Sequence, residues 1–118
     1  MYEIEVYETE SGRCPINDYI AGLTKGGNQK EIAQISLYSK RLEAYGPRVD
    51  EVYPETTRKL TDTIYELRPG KHRVFFFFFI EKRIVLLHAY RKFKQKAPKA
   101  EIEKAEQERN DYIRRNTL

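Results

Sequence analysis

Residues 64–96 read IYELR-PGK-HRVFFFFFI-EKR-IVLLHAYRKFKQK, and this stretch decides the fold of the chain. It contains three runs of strand-forming residues, separated by short connections at Pro69-Gly70 and Glu81-Lys82. Short connections of this kind join antiparallel neighbours. The stretch therefore predicts a three-stranded antiparallel meander.

The two connections also predict how the strands align. If Pro69 and Gly70 are central in the first turn, Ile64 lies opposite Phe75. If Glu81 and Lys82 are central in the second, Phe75 lies opposite His88. Because side chains alternate across a strand, one face of the meander is then wholly apolar and is expected to be core. That face carries Tyr65, Leu67, Val74, Phe76, Phe78, Ile80, Val85, Leu87 and Ala89.

The opposite face is predicted to have two unlike ends. Its apolar end carries Ile64, Phe75, Phe77, Phe79, Ile84 and Leu86. Its other end, which we call the basic end, lies beside Pro69-Gly70 and carries Arg68, Lys71, Arg73, His88, Tyr90 and Lys92. Cations beside a phenol and an imidazole are the groups that an RNA phosphate would need.

Charge is concentrated in the same stretch. Residues 68–96 contain nine Lys or Arg against one acid, Glu81, although the 118-residue chain as a whole has a net charge of only +4. A polyanionic partner is therefore expected. With 34% charged and 40% hydrophobic residues, residues 1–118 should form a single globular domain.

The composition also narrows the cellular setting and the chemistry. The run of five phenylalanines is far too short to span a membrane, and the acidic first ten residues do not resemble a signal peptide. One cysteine, Cys14, cannot form an intrachain disulfide and fits a reducing cytoplasm. With only two histidines beside it, we expect no metal and no cofactor.

The remainder of the chain predicts supporting elements. Residues 2–8 alternate as a half-buried strand. One helix begins at Pro15 and ends near Gly26-Gly27, and a second begins at Asn28, with Glu31 completing a capping-box-like pattern, and stops at Gly46-Pro47. These two helices are expected to form a hairpin on the apolar sheet face.

Two later segments complete the predicted fold. Residues 47–58 read as a loop leading to a strand that begins near Arg58 or Lys59. Pro98 opens a last helix whose narrow apolar stripe suggests loose docking, either over the phenylalanine-rich end of the second face or against a partner. The fold class is therefore α+β, in the order β-α-α-β-β-β with a C-terminal helix.

Four segments carry a resemblance to a known family. They are IYELR (64–68), RVFFFF (73–78), IVLLHAYRK (84–92) and PKAEIEKA (98–105). Together they resemble the RelE/HigB-like toxins of bacterial type II toxin-antitoxin systems, in particular the phage-related HigB-like branch. The resemblance implies a RelE-like domain that cuts mRNA, commonly in the ribosomal A site, and that is neutralised by a helix-turn-helix antitoxin in a hetero-oligomeric complex.

The resemblance also suggests residue roles. It matches family arginines to Arg68 and Arg73 and family basic residues to Arg91, Lys92 and Lys94, while His88 and Tyr90 fall where some branches keep a histidine or tyrosine. We take Arg68, Arg73, His88, Tyr90 and Lys92 as catalytic candidates. RNA-binding candidates are Lys71, Arg91, Lys94 and Lys96.

Each of these residues also has a structural alternative. Arg73 could instead form a cross-strand ion pair with Glu66, Arg68 could be a solvated residue at a turn, and His88 could be a hydrogen-bonded sheet histidine. Tyr90 could be a half-exposed strand aromatic. The lysines after residue 91 could form a plain basic tail.

A ribonuclease of this kind needs few special groups, because RNA supplies its own nucleophile, the 2′-hydroxyl. The protein has to orient that hydroxyl, move protons and stabilise the charge of the phosphorane. Two other functions remain open: poisoning of DNA gyrase, as by ParE-type relatives, and nucleic-acid binding without chemistry.

Overall fold

A computed structural model describes residues 1–117 and confirms the α+β fold class. Its five strands are β1 (Glu3–Val6), β2 (Thr57–Lys59), β3 (Tyr65–Leu67), β4 (His72–Phe79) and β5 (Arg83–Arg91). Its helices are α1 (Pro15–Lys25), α2 (Gln29–Tyr45), the single turn α3 (Val49–Val52) and α4 (Lys99–Asn116), with a 3₁₀ turn at Gly46–Arg48. The strands form one mixed sheet in the order β1-β5-β4-β3-β2, in which only β1 and β5 run parallel.

The predicted helix hairpin is present, although one of its caps differs from expectation. Pro15 begins α1, as its fixed backbone angle suits a first helical turn. Asn28 precedes α2, but within residues 1–117 its side chain makes no capping hydrogen bond. Glu31 is held elsewhere, because its carboxylate lies 2.6 Å from His72 Nε2. The capping-box prediction is therefore wrong.

Gly46 ends α2 at a point where the chain approaches itself closely. Its φ of +55° lies in the left-handed region, and a Cβ at this position would collide with the Tyr2 ring. Only glycine satisfies both conditions without strain. The contact brings the end of α2 against the residue that precedes β1.

The predicted strand near Arg58 is present but short. Thr61 Oγ1 accepts the backbone N–H groups of Thr63 and Ile64 at 3.2 and 3.0 Å, which turns the chain after Lys59. The segment therefore folds into two antiparallel strands, β2 and β3, in place of one. This hairpin adds a fifth strand at the sheet edge.

The predicted alignment of β3 with β4 is wrong by two residues. Leu67 lies opposite Val74 and Glu66 opposite Phe75, so the connection around Pro69-Gly70 is longer than a two-residue turn. A shift of two residues preserves the face on which each side chain lies. The division of β3 and β4 side chains between the two faces is therefore as predicted.

A β-bulge at Leu87 changes the alignment of β4 with β5. Arg73 lies opposite Tyr90 and Phe75 opposite His88, as predicted, but beyond the bulge Phe76 lies opposite Leu86. The extra residue reverses the face on which each β5 side chain lies between the bulge and the turn. Ile84 and Leu86 therefore lie on the first face, and Val85 and Leu87 lie on the second. The predicted faces of these four residues are wrong. Ile80, predicted to be core, is 57% exposed at the turn.

Two apolar layers bury the sheet on both faces. The first packs Leu67, Val74 and Phe76 against Ile16 and Leu23 of α1 and Ile35 and Leu42 of α2. The second packs Ile64, Phe75 and Phe77 against Ala105 and Tyr112 of α4. The last helix thus covers the phenylalanine-rich end of the second face, which was one of its two expected positions.

Candidate nucleic-acid interface

The basic end of the second sheet face lies beside the Pro69-Gly70 connection, next to the first turn of α4. Across the sheet, Arg58 is opposite Glu66, Glu66 opposite Phe75, and Phe75 opposite His88. In the next row on this face Arg73 is opposite Tyr90. Strand pairing therefore brings residues distant in sequence onto one surface.

Arg68 and Arg73 meet at a shared carboxylate. Arg68 Nε lies 3.7 Å from Glu66 Oε2, and Arg73 Nε lies 3.9 Å from Glu66 Oε1. Both guanidiniums thus lie on the Glu66 side of the sheet, and the ion pair between Arg73 and Glu66 that was the structural alternative is present. Both distances exceed a hydrogen bond, so the carboxylate offsets part of the positive charge of the two arginines without saturating their donors.

The two arginines differ in burial and in partners. Arg73 is only 6% exposed, and its Nη1 donates to the carbonyl oxygens of Gly70 and His72, both at 2.8 Å. Arg68 keeps a quarter of its side chain exposed, and its Nε is buried without a hydrogen-bond partner among residues 1–117. Arg73 therefore fixes the β3–β4 connection, while Arg68 retains an unused donor.

A cavity of about 280 Å³ lies beside these guanidiniums. Its lining consists of Arg68, Gly70 and Arg73, together with Gln34 and Tyr38 of α2 and the carboxylate residue Glu55. Gly70 has a φ of +63°, and a Cβ at that position would lie 2.7 Å from Gln34 Oε1. Glycine therefore allows the connection to pass close to α2 and keeps the cavity open.

The buried ion cluster alters the acidity of its members. Burial raises the pKa of Glu66 above its ordinary value, and the opposing arginines only partly offset that effect. Burial also lowers the pKa of Arg73, with Glu66 acting in the opposite direction. A low-dielectric setting of this kind strengthens the attraction of the guanidiniums for an anion.

Tyr90 lies beside Arg73 as a protonated phenol. Burial, followed by the neighbouring Glu66 carboxylate, raises the pKa of Tyr90 to about 12. Its ring packs edge-on against Phe75, with the centroids 5.4 Å apart. At neutral pH the hydroxyl can donate a hydrogen bond or a proton, but it is a poor base.

His88 lies on the same face but is closed off by α4. It is 3% exposed, with Nδ1 2.6 Å from Glu108 Oε1 and Nε2 3.0 Å from Glu101 Oε1. Both ring nitrogens are therefore occupied by carboxylates of the helix. The geometry is that of the structural alternative, a hydrogen-bonded sheet histidine.

The remaining predicted residues differ in exposure and in the side of the sheet on which they lie. The backbone N–H of Lys92 donates to the Lys71 carbonyl at 2.7 Å, which holds these two lysines at neighbouring strand ends. Lys71 is exposed and Lys92 half-buried. Arg91 points toward the other side of the sheet, since its Nη1 lies 3.4 Å from Glu31. Lys94 and Lys96 are exposed in the segment that links β5 to α4.

Two side chains that the sequence did not single out join this surface. Arg58 lies on the edge strand β2, opposite Glu66. Phe93 is 69% exposed between Lys92 and Lys94. The sequence carried a signal for Phe93, a lone aromatic between cations, whereas Arg58 could be included only once β2 was known to pair with β3.

Comparison with known proteins identifies a family whose model matches this chain. A family model described as Phage derived protein Gp49-like (DUF891) matches residues 25–110, well over half of the chain. No curated protein matches the chain. Within residues 1–117, no helix combines the length and apolar character needed to cross a membrane.

Proposed function

The chain belongs to the phage-derived Gp49-like family, which is of the RelE/HigB-like toxin type, and we propose that this toxin-like protein is an mRNA endoribonuclease of a type II toxin-antitoxin system. Its substrate is mRNA, bound most productively on the ribosome. Its partner is a helix-turn-helix antitoxin that binds it in a hetero-oligomeric complex and covers the basic end of the sheet.

One observation carries this proposal. Arg68, just after β3, and Arg73, in β4, approach a single buried carboxylate, Glu66, and an open cavity adjoins them. The carboxylate holds the guanidiniums together in the absence of substrate. A phosphate brings more acceptor oxygens than one carboxylate and can use the donors that Glu66 leaves free.

The proposed reaction is cleavage by the 2′-hydroxyl of the RNA. The 2′-oxygen bonds to phosphorus while the bond from phosphorus to the 5′-oxygen breaks, which leaves a 2′,3′-cyclic phosphate and a 5′-hydroxyl. Arg68 and Arg73 stabilise the charge that develops on the phosphoryl oxygens. Lys71, Lys94 and Lys96 hold the flanking RNA backbone, whereas Arg91, paired with Glu31 on the other side of the sheet, is left out of this role.

Two groups serve proton transfer in this mechanism. Tyr90, protonated at neutral pH, donates a proton to the departing 5′-oxygen. Lys92 acts on the 2′-hydroxyl as the base that accepts its proton. His88 acts as a positioning residue, since its contacts with Glu101 and Glu108 keep the start of α4 at the border of the site.

The test maps mRNA ends produced on translating ribosomes. Wild-type protein is expected to create new ends, and Arg68→Lys to reduce the cutting rate about 10²- to 10³-fold, the usual effect of losing a transition-state donor. Arg114→Lys, on the exposed side of α4, is the matched control. Intact mRNA with wild-type protein, or equal cutting by Arg68→Ala, refutes the proposal.

RNA binding without cleavage is the second candidate. The observation that favours this candidate is the position of His88. Among residues 1–117 it is the only imidazole on this sheet face, and it is held between two carboxylates. A protein of this type binds RNA in a salt-dependent manner but produces no new ends. Unchanged gyrase supercoiling in its presence excludes the ParE-type activity.

A further inference from the structure

A separate groove lies between the edge strand β2 and the segment that leads into α4. Arg58, Lys59 and Leu60 line its strand side, and Lys96, Ala97 and Ile102 line the opposite side. Glu66 closes the end that adjoins the arginine pair. The groove is therefore continuous with the basic end, with which it shares Glu66.

The groove combines an apolar floor with a cationic rim. Leu60, Ala97 and Ile102 are half-buried, whereas Arg58, Lys59 and Lys96 are exposed around them. The only acid of the lining, Glu66, is buried against Arg68 and Arg73. A flat apolar group carrying negative charge at its edge complements this surface, and a nucleotide has both properties.

The dimensions favour one residue of a polymer over a free small molecule. The groove encloses about 230 Å³, which is below the roughly 300–1,000 Å³ of a typical small-molecule pocket. Its position next to Glu66 allows a chain held at Arg68 to continue along it. A single-stranded RNA bound at the arginines would pass over this groove with its next nucleotide.

We propose that the groove is a nucleotide subsite flanking the scissile linkage. The base of an unpaired ribonucleotide lies on Leu60 and Ile102, and its phosphate binds Arg58 and Lys96. This inference rests on the proposed RNA substrate and adds a contact that determines how the RNA strand is aligned. Arg58, on β2, is the principal residue of the subsite.

Photocrosslinking of the wild-type protein tests the subsite directly. A short single-stranded RNA with one 4-thiouridine at successive positions is expected to crosslink within residues 58–60 or 96–102 at one position only. Peptide mapping identifies the site. Crosslinks confined to residues outside these two segments overturn the proposal.

Fluorescence provides a second measurement, because the chain contains no tryptophan. An Ile102→Trp variant is expected to lose fluorescence as the same RNA binds, with the midpoint seen by anisotropy of labelled RNA. Gln107→Trp, on the exposed side of α4, is expected to report no change. RNA binding that is seen by anisotropy but leaves the fluorescence of Ile102→Trp unchanged contradicts the subsite. A fluorescence change that is caused by an acidic peptide but not by RNA also contradicts it.

Measurements of RNA affinity and of cleavage distinguish failure of the subsite from failure of the proposed function on which it rests. Arg58→Gln is expected to weaken RNA binding about 5- to 10-fold and to shift the mapped cut positions, while Arg114→Gln changes neither. If wild-type protein leaves mRNA intact, the proposed function fails, whether or not RNA crosslinks at the groove. If wild-type protein cuts and Arg58→Gln cuts at the same positions and rate, only the subsite fails.

Discussion

Glu66 organises the basic end of the sheet at the scale of single residues. Glu66 lies between Arg58 and Phe75 in its row of the sheet and is only 5% exposed. A buried carboxylate is costly unless charges oppose it, and Arg68 and Arg73 supply those charges. The arrangement explains why two like-charged guanidiniums can approach each other in the free protein.

Tyr90 gives a prediction for the pH dependence of cleavage. Because its pKa is raised to about 12, its phenol stays protonated well above pH 10, where an ordinary tyrosine is half ionised. A mechanism in which Tyr90 donates a proton therefore keeps this donor fully available from pH 7 to pH 10. Rates measured on preformed ribosome complexes should show no loss with a midpoint near pH 10.

The corresponding variant is Tyr90→Phe, which removes the hydroxyl and keeps the ring contact with Phe75. We expect the cleavage rate to fall about 10²-fold with little change in RNA affinity, since general acid help is worth roughly 10² to 10⁴. Tyr45→Phe, on an exposed position of α2, is the control. Unchanged cutting by Tyr90→Phe removes Tyr90 from the chemistry.

At the scale of elements, α4 is attached to the rest of the fold by polar as well as apolar contacts. Tyr7 donates to Asp111 at 2.6 Å, Tyr112 donates to Glu5 at 2.8 Å, and Thr63 donates to Glu106 at 2.8 Å. His88 adds two carboxylate contacts, with Glu101 in the first turn of the helix and with Glu108 at its middle. These hydrogen bonds explain how a helix with a narrow apolar stripe covers a face rich in phenylalanine.

His88→Ala tests this attachment. The substitution leaves Glu101 and the buried Glu108 without their shared partner, at an expected cost of about 1–3 kcal/mol in the free energy of unfolding. Urea unfolding measures the loss, and hydrogen exchange should show it in α4 first. Lys104→Ala, on the exposed side of the helix, should have little effect. Full stability together with abolished cleavage would instead make His88 a direct participant.

At the scale of the whole molecule, charge is separated from the apolar layers. The helices α1 and α2 cover one face of the sheet, α4 covers the phenylalanine-rich end of the other, and the opposite end of that face carries the basic end with the adjoining groove. A strongly basic surface of this extent attracts polyanions from a distance. Under the proposed function, the same surface is the region that the proposed antitoxin would cover.

RNA affinity should accordingly fall steeply with salt. If about five phosphates are engaged, the logarithm of the association constant should decrease with the logarithm of salt concentration with a slope of about −3.5, or roughly −0.7 per phosphate. Lys71→Gln should reduce the slope by about 0.7, and Lys40→Gln, on the exposed side of α2, should leave it unchanged. A slope near zero for wild-type protein would contradict the assignment of this surface to RNA.

The sequence by itself determined the fold class and the strands β1, β4 and β5. Alternation and turn residues predicted β4 and β5, and Arg73 was correctly predicted to lie opposite Tyr90. The two-residue error between β3 and β4 left the faces unchanged because side chains alternate with a period of two. Local patterns were sufficient here because each depends on neighbours within a few residues.

Only the tertiary structure decided which polar groups are free to act. The bulge at Leu87, the pairing of β2 with β3 and the position of α4 depend on contacts between residues far apart in sequence. They bury His88 between Glu101 and Glu108, place Arg58 opposite Glu66, and open the groove beside it. A histidine or arginine looks the same in a sequence whether it faces solvent or a carboxylate, because its availability is set by packing across the sheet.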